Sequence, residues 1–539
     1  RYGDKQSSVM DITLREGSYD QFNIDMEFSM GGLGLLAEGP FANKKGSYIA
    51  SFRKSYLKYI IKSAGLSAIP EYSNYQLKSV YNLDAKQKLI LNVVGGFDYI
   101  KVEDESRPDL KGAENVEHSG GQNTIGLTYK TLFSKNGYSL LSIGTTTSKW
   151  IADVYSMVDN KESIYFTRDN IERDNFIKGG IVYKFSPVIE FSAGINAKYG
   201  QYRLKEDLSP DTLYFHYYPE LGFTSTLSDY YNLISNNPDY DNYSIIPNPL
   251  SGDTIFSQGF NSNEDGGLWK YGAYNQFKLS LSKLIITTGI RYDKMSENNT
   301  SVLSPRLGAS FVLSPITKIN FAIGKFYQTP SYSMLLNPLN QKTLKHSYTD
   351  QSIFGLEHLF SDDIRATLEI YSKKYYNKAV RLASITLDSL DDRLGYVDTG
   401  KGRAKGLELF LQKKFSRKWY GTFSYSKSKA EGFDRREGKN IYYPWDFDFE
   451  NTLTIVGGYK IKFRDLDWYK KIRESDIFPY IAWIPFMFSD QLEISFRYSY
   501  SGGRPYTPKV YDFYHRIWYE DPSSNYNTIR YDYYSRLDL

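Results

Sequence analysis

LEISFRYSY, residues Leu492–Tyr500, decides the fold of this chain. Leu492, Ile494, Phe496, Tyr498 and Tyr500 are apolar or aromatic, and Glu493, Ser495, Arg497 and Ser499 between them are polar or charged. A period of two makes a strand with one greasy face and one wet face. The pattern recurs in Arg365–Tyr371, Phe277–Ser282 and Leu407–Gln412, and about twenty such segments follow one another. In a soluble sandwich the greasy faces pack against each other. In a transmembrane barrel they face lipid, and the polar faces line a wet interior.

Composition favours the barrel. The chain holds 50 Tyr, 32 Phe and 7 Trp in 539 residues, 17% aromatic in all. Tyr and Trp suit membrane–water boundaries, where an apolar ring and a polar tip are both satisfied. The compositional competitor is a soluble, tyrosine-rich glycan-binding protein. The mean hydropathy of -0.49 argues against a helical membrane protein. No apolar run reaches the roughly 18–20 residues a spanning helix needs. A barrel evades that test, because half of each strand is polar.

The absence of Cys removes disulfides and thiolate chemistry together. With 66 basic against 62 acidic residues, net charge gives no argument for nucleic acid as a partner. The five histidines, His118, His216, His346, His358 and His515, are scattered and form no HExxH-type pair. There is no GxSxG elbow and no phosphate-binding loop. Asp391-Asp392 reads as a solvated loop tip before it reads as a calcium site, since hard cations need several converging oxygens. The chain is therefore expected not to be an enzyme and to hold no metal or cofactor.

Short and long connections alternate. The short ones are Ala42–Gly46, Asp84–Lys88, Ser134–Gly137, Ser186–Pro187, Ser314–Thr317, Ser361–Asp363 and Ser416–Lys418. The long ones fall near 59–73, 101–121, 155–170, 204–266, 329–348, 377–401, 431–447 and 503–532. Between them lie about nineteen strands and the start of a twentieth at Tyr533. Short turns on the periplasmic side and long loops outside are the habit of bacterial outer-membrane barrels. The loop at 204–266 is the largest, and it carries Tyr230, Tyr231, Tyr240 and Tyr243 among Asp, Asn, Ser and Pro. It reads either as a lid packed on its own tyrosines or as a ligand-contacting surface.

One connection breaks the short-turn rule. Residues 462–490 begin with a potential short helix, Leu466, Trp468, Tyr469 and Ile472 near one side and Lys470, Lys471, Arg473 and Glu474 nearer the other. The remainder is aromatic, with Pro479 and Pro485 opposing a continuous helix. The segment is read as lying at the inner-leaflet interface, with Trp468, Tyr469 and Trp483 as membrane-interface residues. A hydrophobic plug under the barrel rim is the alternative.

Several local patterns resemble one family, the TonB-dependent outer-membrane transporters, particularly the kind found in Bacteroidota. RYGDKQSSVMDITLREG (Arg1–Gly17) resembles the end of that family's plug domain. LAEGPFANKKGSYIASFRKSY (Leu36–Tyr56) resembles its second and third barrel strands. LSPRLGASFVLSPITKINFAIGKFYQTPSY (Leu303–Tyr332) resembles its mid-barrel hairpin. GKGRAKGLELFLQKKF (Gly400–Phe415), GGRPYTP (Gly502–Pro508) and YYSRLDL (Tyr533–Leu539) resemble later strands and the closing region. Each is weak alone, and their order across nearly the whole chain is specific.

The resemblance implies an all-β, transmembrane antiparallel β-barrel of about 22 strands around a plug. About twenty of those strands would be represented here, with both ends continuing in a longer protein. Residues 1–18 would end the plug domain and 19–539 would form the barrel, incomplete at its C-terminus. The implied activity is TonB-dependent import of a scarce nutrient (siderophore, cofactor, peptide or oligosaccharide) across the bacterial outer membrane. The implied partners are outer-membrane lipid, the TonB complex through the absent N-terminal part, and an extracellular nutrient. The candidate substrate contacts are Tyr230, Tyr231, Tyr240 and Tyr243 in the largest loop, and Tyr327, Gln328 and Tyr332 where a strand meets its loop. The other function class is a structural or docking barrel that binds a protein or surface polymer without transport.

Overall fold

The computed structural model describes residues 2–29, 31–57, 68–102, 115–158, 161–209, 211–212, 214–217, 244–247, 256–257, 260–336, 344–381, 395–433, 441–463, 466–475, 491–512, 517–520 and 524–539. Among these, one antiparallel sheet of 21 strands dominates. Its strands are β1 Asn23–Ser29, β2 Gly32–Phe41, β3 Gly46–Lys54, β4 Ala68–Asn82, β5 Gln87–Val102, β6 Asn115–Ser134, β7 Gly137–Val158, β8 Lys161–Lys184 and β9 Ile189–Leu208. They continue as β10 Phe260–Leu281, β11 Leu284–Met295, β12 Ser301–Ser314, β13 Thr317–Gln328, β14 Ser347–Ser361, β15 Ile364–Arg381, β16 Tyr396–Ser416 and β17 Trp419–Phe433. The last three are β18 Asn451–Lys462, β19 Gln491–Ser501 and β20 Tyr534–Asp538. A three-residue arm, Tyr442–Pro444, pairs with the end of β17 and completes the sheet.

Each of β1 to β20 pairs with its sequence neighbour, the meander of an up-and-down barrel. The short turns have local causes. Asp84 Oδ1 accepts the backbone N–H of Lys86 at 2.7 Å and of Gln87 at 2.8 Å, closing the β4–β5 turn. Ser186 Oγ does the same for Val188 and Ile189 between β8 and β9. Ala42, Asn43 and Lys44 all take positive φ to turn β2 into β3.

The alternation sorts side chains as the sequence pattern predicts. In β1 the apolar Ile24, Met26 and Phe28 are exposed, Phe28 by 75%. In β12 Leu303, Leu307, Phe311 and Leu313 are exposed, while Ser304 between them is buried. The greasy face therefore points outward, away from the polar face. No helix among the described residues is long and apolar enough to cross a membrane, which says nothing against crossing by strands.

Several expected loops are shorter than their sequence suggests. The loop expected at 155–170 is a correction: β7 and β8 run through it, and Val158 pairs with Lys161. The largest loop loses both flanks to strand, because β9 reaches Leu208 and β10 begins at Phe260. Inside it, Tyr214–Tyr217 pairs antiparallel with Ser244–Pro247. Of the residues singled out earlier, Tyr230, Tyr231, Tyr240, Tyr243, Trp483 and Asp391-Asp392 lie outside the described residues.

Among the described residues, two short helices stand out in the connections. Helix α1, Tyr332–Leu336, follows β13 on the long-loop side. Helix α2, Asp467–Arg473, follows β18 on the short-turn side. In α2 Tyr469 is buried and Trp468 is 47% exposed. The buried side of this helix is thus Leu466, Tyr469 and Ile472, with Trp468 turned outward.

Candidate functional site

Residues 2–18 contact inward-facing side chains on opposite walls, so they cross the lumen. At one end, Lys78 of β4 donates to the Leu14 carbonyl at 2.5 Å, and Lys88 of β5 lies 2.6 Å from Glu16. Arg15 forms an ion pair with Glu38 of β2. At the other end, Arg306 of β12 donates to the Tyr2 carbonyl at 2.6 Å. Gln6 donates to Ser347 at 2.9 Å, its carbonyl accepts from Gln351 at 2.5 Å, and its side-chain oxygen accepts from Lys378 at 3.1 Å. A cavity of about 190 Å³ on this wall is lined in part by Arg291, Arg306, Gly308, Gly324 and Gln351.

Asp4 is the hub of the upper end. Its carboxylate accepts the Thr329 backbone N–H at 2.7 Å and the Thr329 hydroxyl at 2.8 Å, and Lys270 of β10 lies 3.4 Å away. Burial alone would raise its pKa. Lys270 and the two Thr329 donors more than offset that and hold the carboxyl below its ordinary range.

Above this hub α1 folds into the barrel mouth. Tyr332 and Leu335 join Tyr202 (β9), Leu268 (β10), Met295 (β11) and Leu344 in one buried apolar cluster. The Tyr332 hydroxyl donates to Asp174 of β8 at 2.5 Å, and Lys198 of β9 holds the other carboxylate oxygen at 3.0 Å. Lys270 sits 5.1 Å from the centre of the Tyr332 ring and donates to Thr329 at 2.5 Å. One lysine therefore touches the N-terminal segment, the end of the loop and the helix. Burial and the hydrogen bond to Asp174 push the Tyr332 hydroxyl pKa well up, so the proton stays on the donor.

The structure separates the three strand-end candidates. Tyr332 faces the lumen and is 6% exposed. Gln328 lies at an inward position of β13, where its carbonyl accepts from Ser347 at 3.3 Å. Tyr327 lies on the outward face with Phe321 and Ile323, 5.3 Å from the Tyr348 ring, which stacks on Tyr376 at 4.9 Å. That row of three rings belongs to an aromatic band at the outer end of the wall.

Sequence reasoning did not single out Asp4, Asp174, Lys198 or Lys270, and it marked Arg306 only as part of the Ser304-Pro305-Arg306 feature of the mid-barrel hairpin. The alternation places the strand residues among them on the polar face. It carries no signal for which charges meet across the lumen.

Comparison with solved structures finds the same architecture. The crystal structure of the ferripyoverdine receptor of the outer membrane of Pseudomonas aeruginosa, bound to ferripyoverdine, superposes with a TM-score of 0.63 at 12% identity, over 94% of this chain and 63% of that chain. The siderophore receptor PirA from Acinetobacter baumannii gives a TM-score of 0.58 at 14% identity, over 96% and 72%. The outer membrane transporter YddB from Escherichia coli gives 0.58 at 10% identity, over 94% and 68%. At these identities the likeness concerns the fold. The chain spans less than two thirds of the length of the ferripyoverdine receptor. No curated protein sequence matches it. The family model described as "TonB dependent receptor-like, beta-barrel" matches residues 106–539, four fifths of the chain. This chain therefore belongs to the TonB-dependent receptor β-barrel family of the Gram-negative outer membrane.

Proposed function

We propose that the parent protein imports a scarce nutrient across the outer membrane, drawing energy from TonB. The observation that carries this reading is the lumen crossed by residues 2–18 and bound to both walls. A passive pore needs an open channel, whereas a gated importer needs a piece of chain that blocks the lumen and is held by breakable polar contacts. Residues 1–18 act in this reading as the last stretch of a plug domain. Asp4, Lys270 and Tyr332 link that stretch to the helix over the mouth, so displacing one loosens the other.

The substrate is read as a chelated-iron compound of the siderophore kind, on the likeness to receptors of that kind. Tyr332, Gln328 and the loop tyrosines Tyr230, Tyr231, Tyr240 and Tyr243 are the proposed contacts; the outward Tyr327 drops from the set. Trp468 of α2 is proposed to sit among inner-leaflet headgroups, with Tyr469 anchoring the helix from its buried side. The Bacteroidota kind belongs to this reading on the sequence patterns alone.

The test is binding of the native full-length protein to purified TonB periplasmic domain, with and without ferric siderophore extracts. Binding strengthened by one extract supports an energised importer and narrows its substrate. No binding under any condition, with a folded barrel, moves the assignment to a docking barrel without transport.

A further inference from the structure

The short turns of this barrel, which face the periplasm, combine exposed apolar residues with cations. Phe133 stands near Lys135, Lys184 near Phe185 and Leu281 near Lys283, all of them exposed. The β16–β17 turn concentrates the pattern. Residues Lys413–Trp419 read KKFSRKW, and Phe415 and Trp419 are each 47% exposed.

The structure sorts the four cations of this turn. Lys413 is already engaged: it lies 2.9 Å from Asp363, donates to Ser416 at 2.6 Å, and sits 4.5 Å from the centre of the Trp419 ring. Asp363 is engaged as well, accepting from Ser361 at 2.6 Å and from the Ser416 hydroxyl. Lys414, Arg417 and Lys418 are exposed, and no ion pair holds them among the described residues. Asp362, on the neighbouring turn, is exposed too and offsets one of the three. The Lys418 carbonyl accepts the Lys460 backbone N–H at 2.7 Å, and the Lys460 ammonium lies 5.3 Å from the Phe415 ring centre and 3.2 Å from Glu493.

We propose that this turn binds the phosphate of an anionic glycerophospholipid of the periplasmic leaflet. Three free cations supply the counter-charge at headgroup depth. Trp419 and its cross-strand partner Tyr459, 47% and 45% exposed, lie on the outward face where the first acyl methylenes would run, while Phe415 turns inward to Tyr420 and Lys460. A soluble phosphate fits only the charged half of this surface. A zwitterionic lipid brings its own ammonium, which the same cations repel. The assignment is independent of any transport reading.

The experiment is native mass spectrometry of the full chain with dioleoyl phosphatidylglycerol, dioleoyl phosphatidylethanolamine and glycerophosphate as probes. Arg417 has φ 57°, a conformation Asn adopts readily, so Arg417→Asn keeps the turn. Each cation removed is expected to lower phosphatidylglycerol affinity roughly fivefold, about 1 kcal/mol. The K414Q/R417N/K418Q variant therefore loses nearly all retention of that lipid, while K414R/K418R keeps it. Phosphatidylethanolamine binds weakly to all forms, and glycerophosphate does not displace bound lipid. Heat-shifted gel mobility reports whether each barrel is folded, and K414Q/K418Q decides the matter if the triple variant is not. Unchanged phosphatidylglycerol retention in a folded variant overturns the proposal. Displacement by glycerophosphate overturns it equally, since the site would then be one for free phosphate.

Discussion

Gly200 shows how tightly single residues set the lumen site. A Cβ built there overlaps the hydroxyl of Tyr332, so the glycine leaves the passage by which that ring reaches Asp174. Gly200→Ala is expected to push Tyr332 out of its pocket and break the Asp174 bond, at a cost of about 1–3 kcal/mol in helix docking. Amide exchange over Tyr332–Leu336 should accelerate accordingly, and unchanged exchange would mean that the ring adjusts in place. Asp4 gives a prediction with a pH sign. Its folded pKa is depressed, so its stabilisation is complete above the unfolded value near 4 and fades as pH falls through the folded one. Asp4→Asn should remove that acid dependence and make residues 2–18 more open to protease at neutral pH. Equal cleavage of variant and wild type would show that the hub does not hold the segment. The sequence singled out Tyr332 as an aromatic at a strand–loop junction, but its place in the buried cluster and its bond to Asp174 were not legible there. Asp4 and Lys270 were not legible either, because 266 residues separate them and only the curved wall brings them together.

Helix α1 is held by an apolar cluster that includes Leu344, and His346 stands two residues beyond Leu344. That histidine is 4% exposed, and its Nδ1 lies 3.1 Å from the Thr300 hydroxyl. Burial lowers its pKa below the ordinary value, the nearby Lys270 acts in the same direction, and Asp4 and Asp293 oppose them. The neutral ring fits the folded state, so the contribution is complete above about pH 6.5 and is lost as pH falls towards the folded pKa. Protonation of His346 disfavours the packing of the segment that carries Leu344, so docking of α1 should weaken as pH falls below about 6.5, read as faster amide exchange of Tyr332–Leu336 at about pH 5.5 than at about pH 7.5 after correction for intrinsic rates. His346→Gln should flatten that dependence, and a wild-type profile flat over the same range would rule it out. Strands were easier to read than their ends. The alternation in β1 and β12 follows from two unlike solvents on the two faces, and it holds only as long as those solvents do. Beyond the lipid, strands such as β7 and β8, 22 and 24 residues long, have water on both sides. There the pattern fades while backbone pairing continues, which is why 155–170 reads as a loop and folds as strand.

At the scale of the whole molecule, one wall separates two environments, and substitutions should divide by face more than by chemistry. The outward Ile195 is 70% exposed, next to Gly179 on β8 and Ala273 on β10. It is the seventh residue of β9, which at about 3.3 Å per residue and a tilt of about 45° sets it roughly 14 Å from the periplasmic turn. That is close to the middle of an apolar band about 25 Å tall. Ile195→Lys should therefore cost about 2–4 kcal/mol of stability in lipid vesicles, since neither water nor a partner is near enough to take the charge. Gln276 of β10 faces the opposite way, towards the lumen, where Lys198 and Lys270 already stand in a wet interior. Gln276→Lys should stay within about 0.5 kcal/mol of wild type, as surface changes usually do. Denaturant unfolding in vesicles compares the two directly, and detergent micelles, which yield around a charge, should narrow the gap. Equal destabilisation by both substitutions would mean that the greasy face does not meet lipid, and the inside-out assignment of the wall would fall with it.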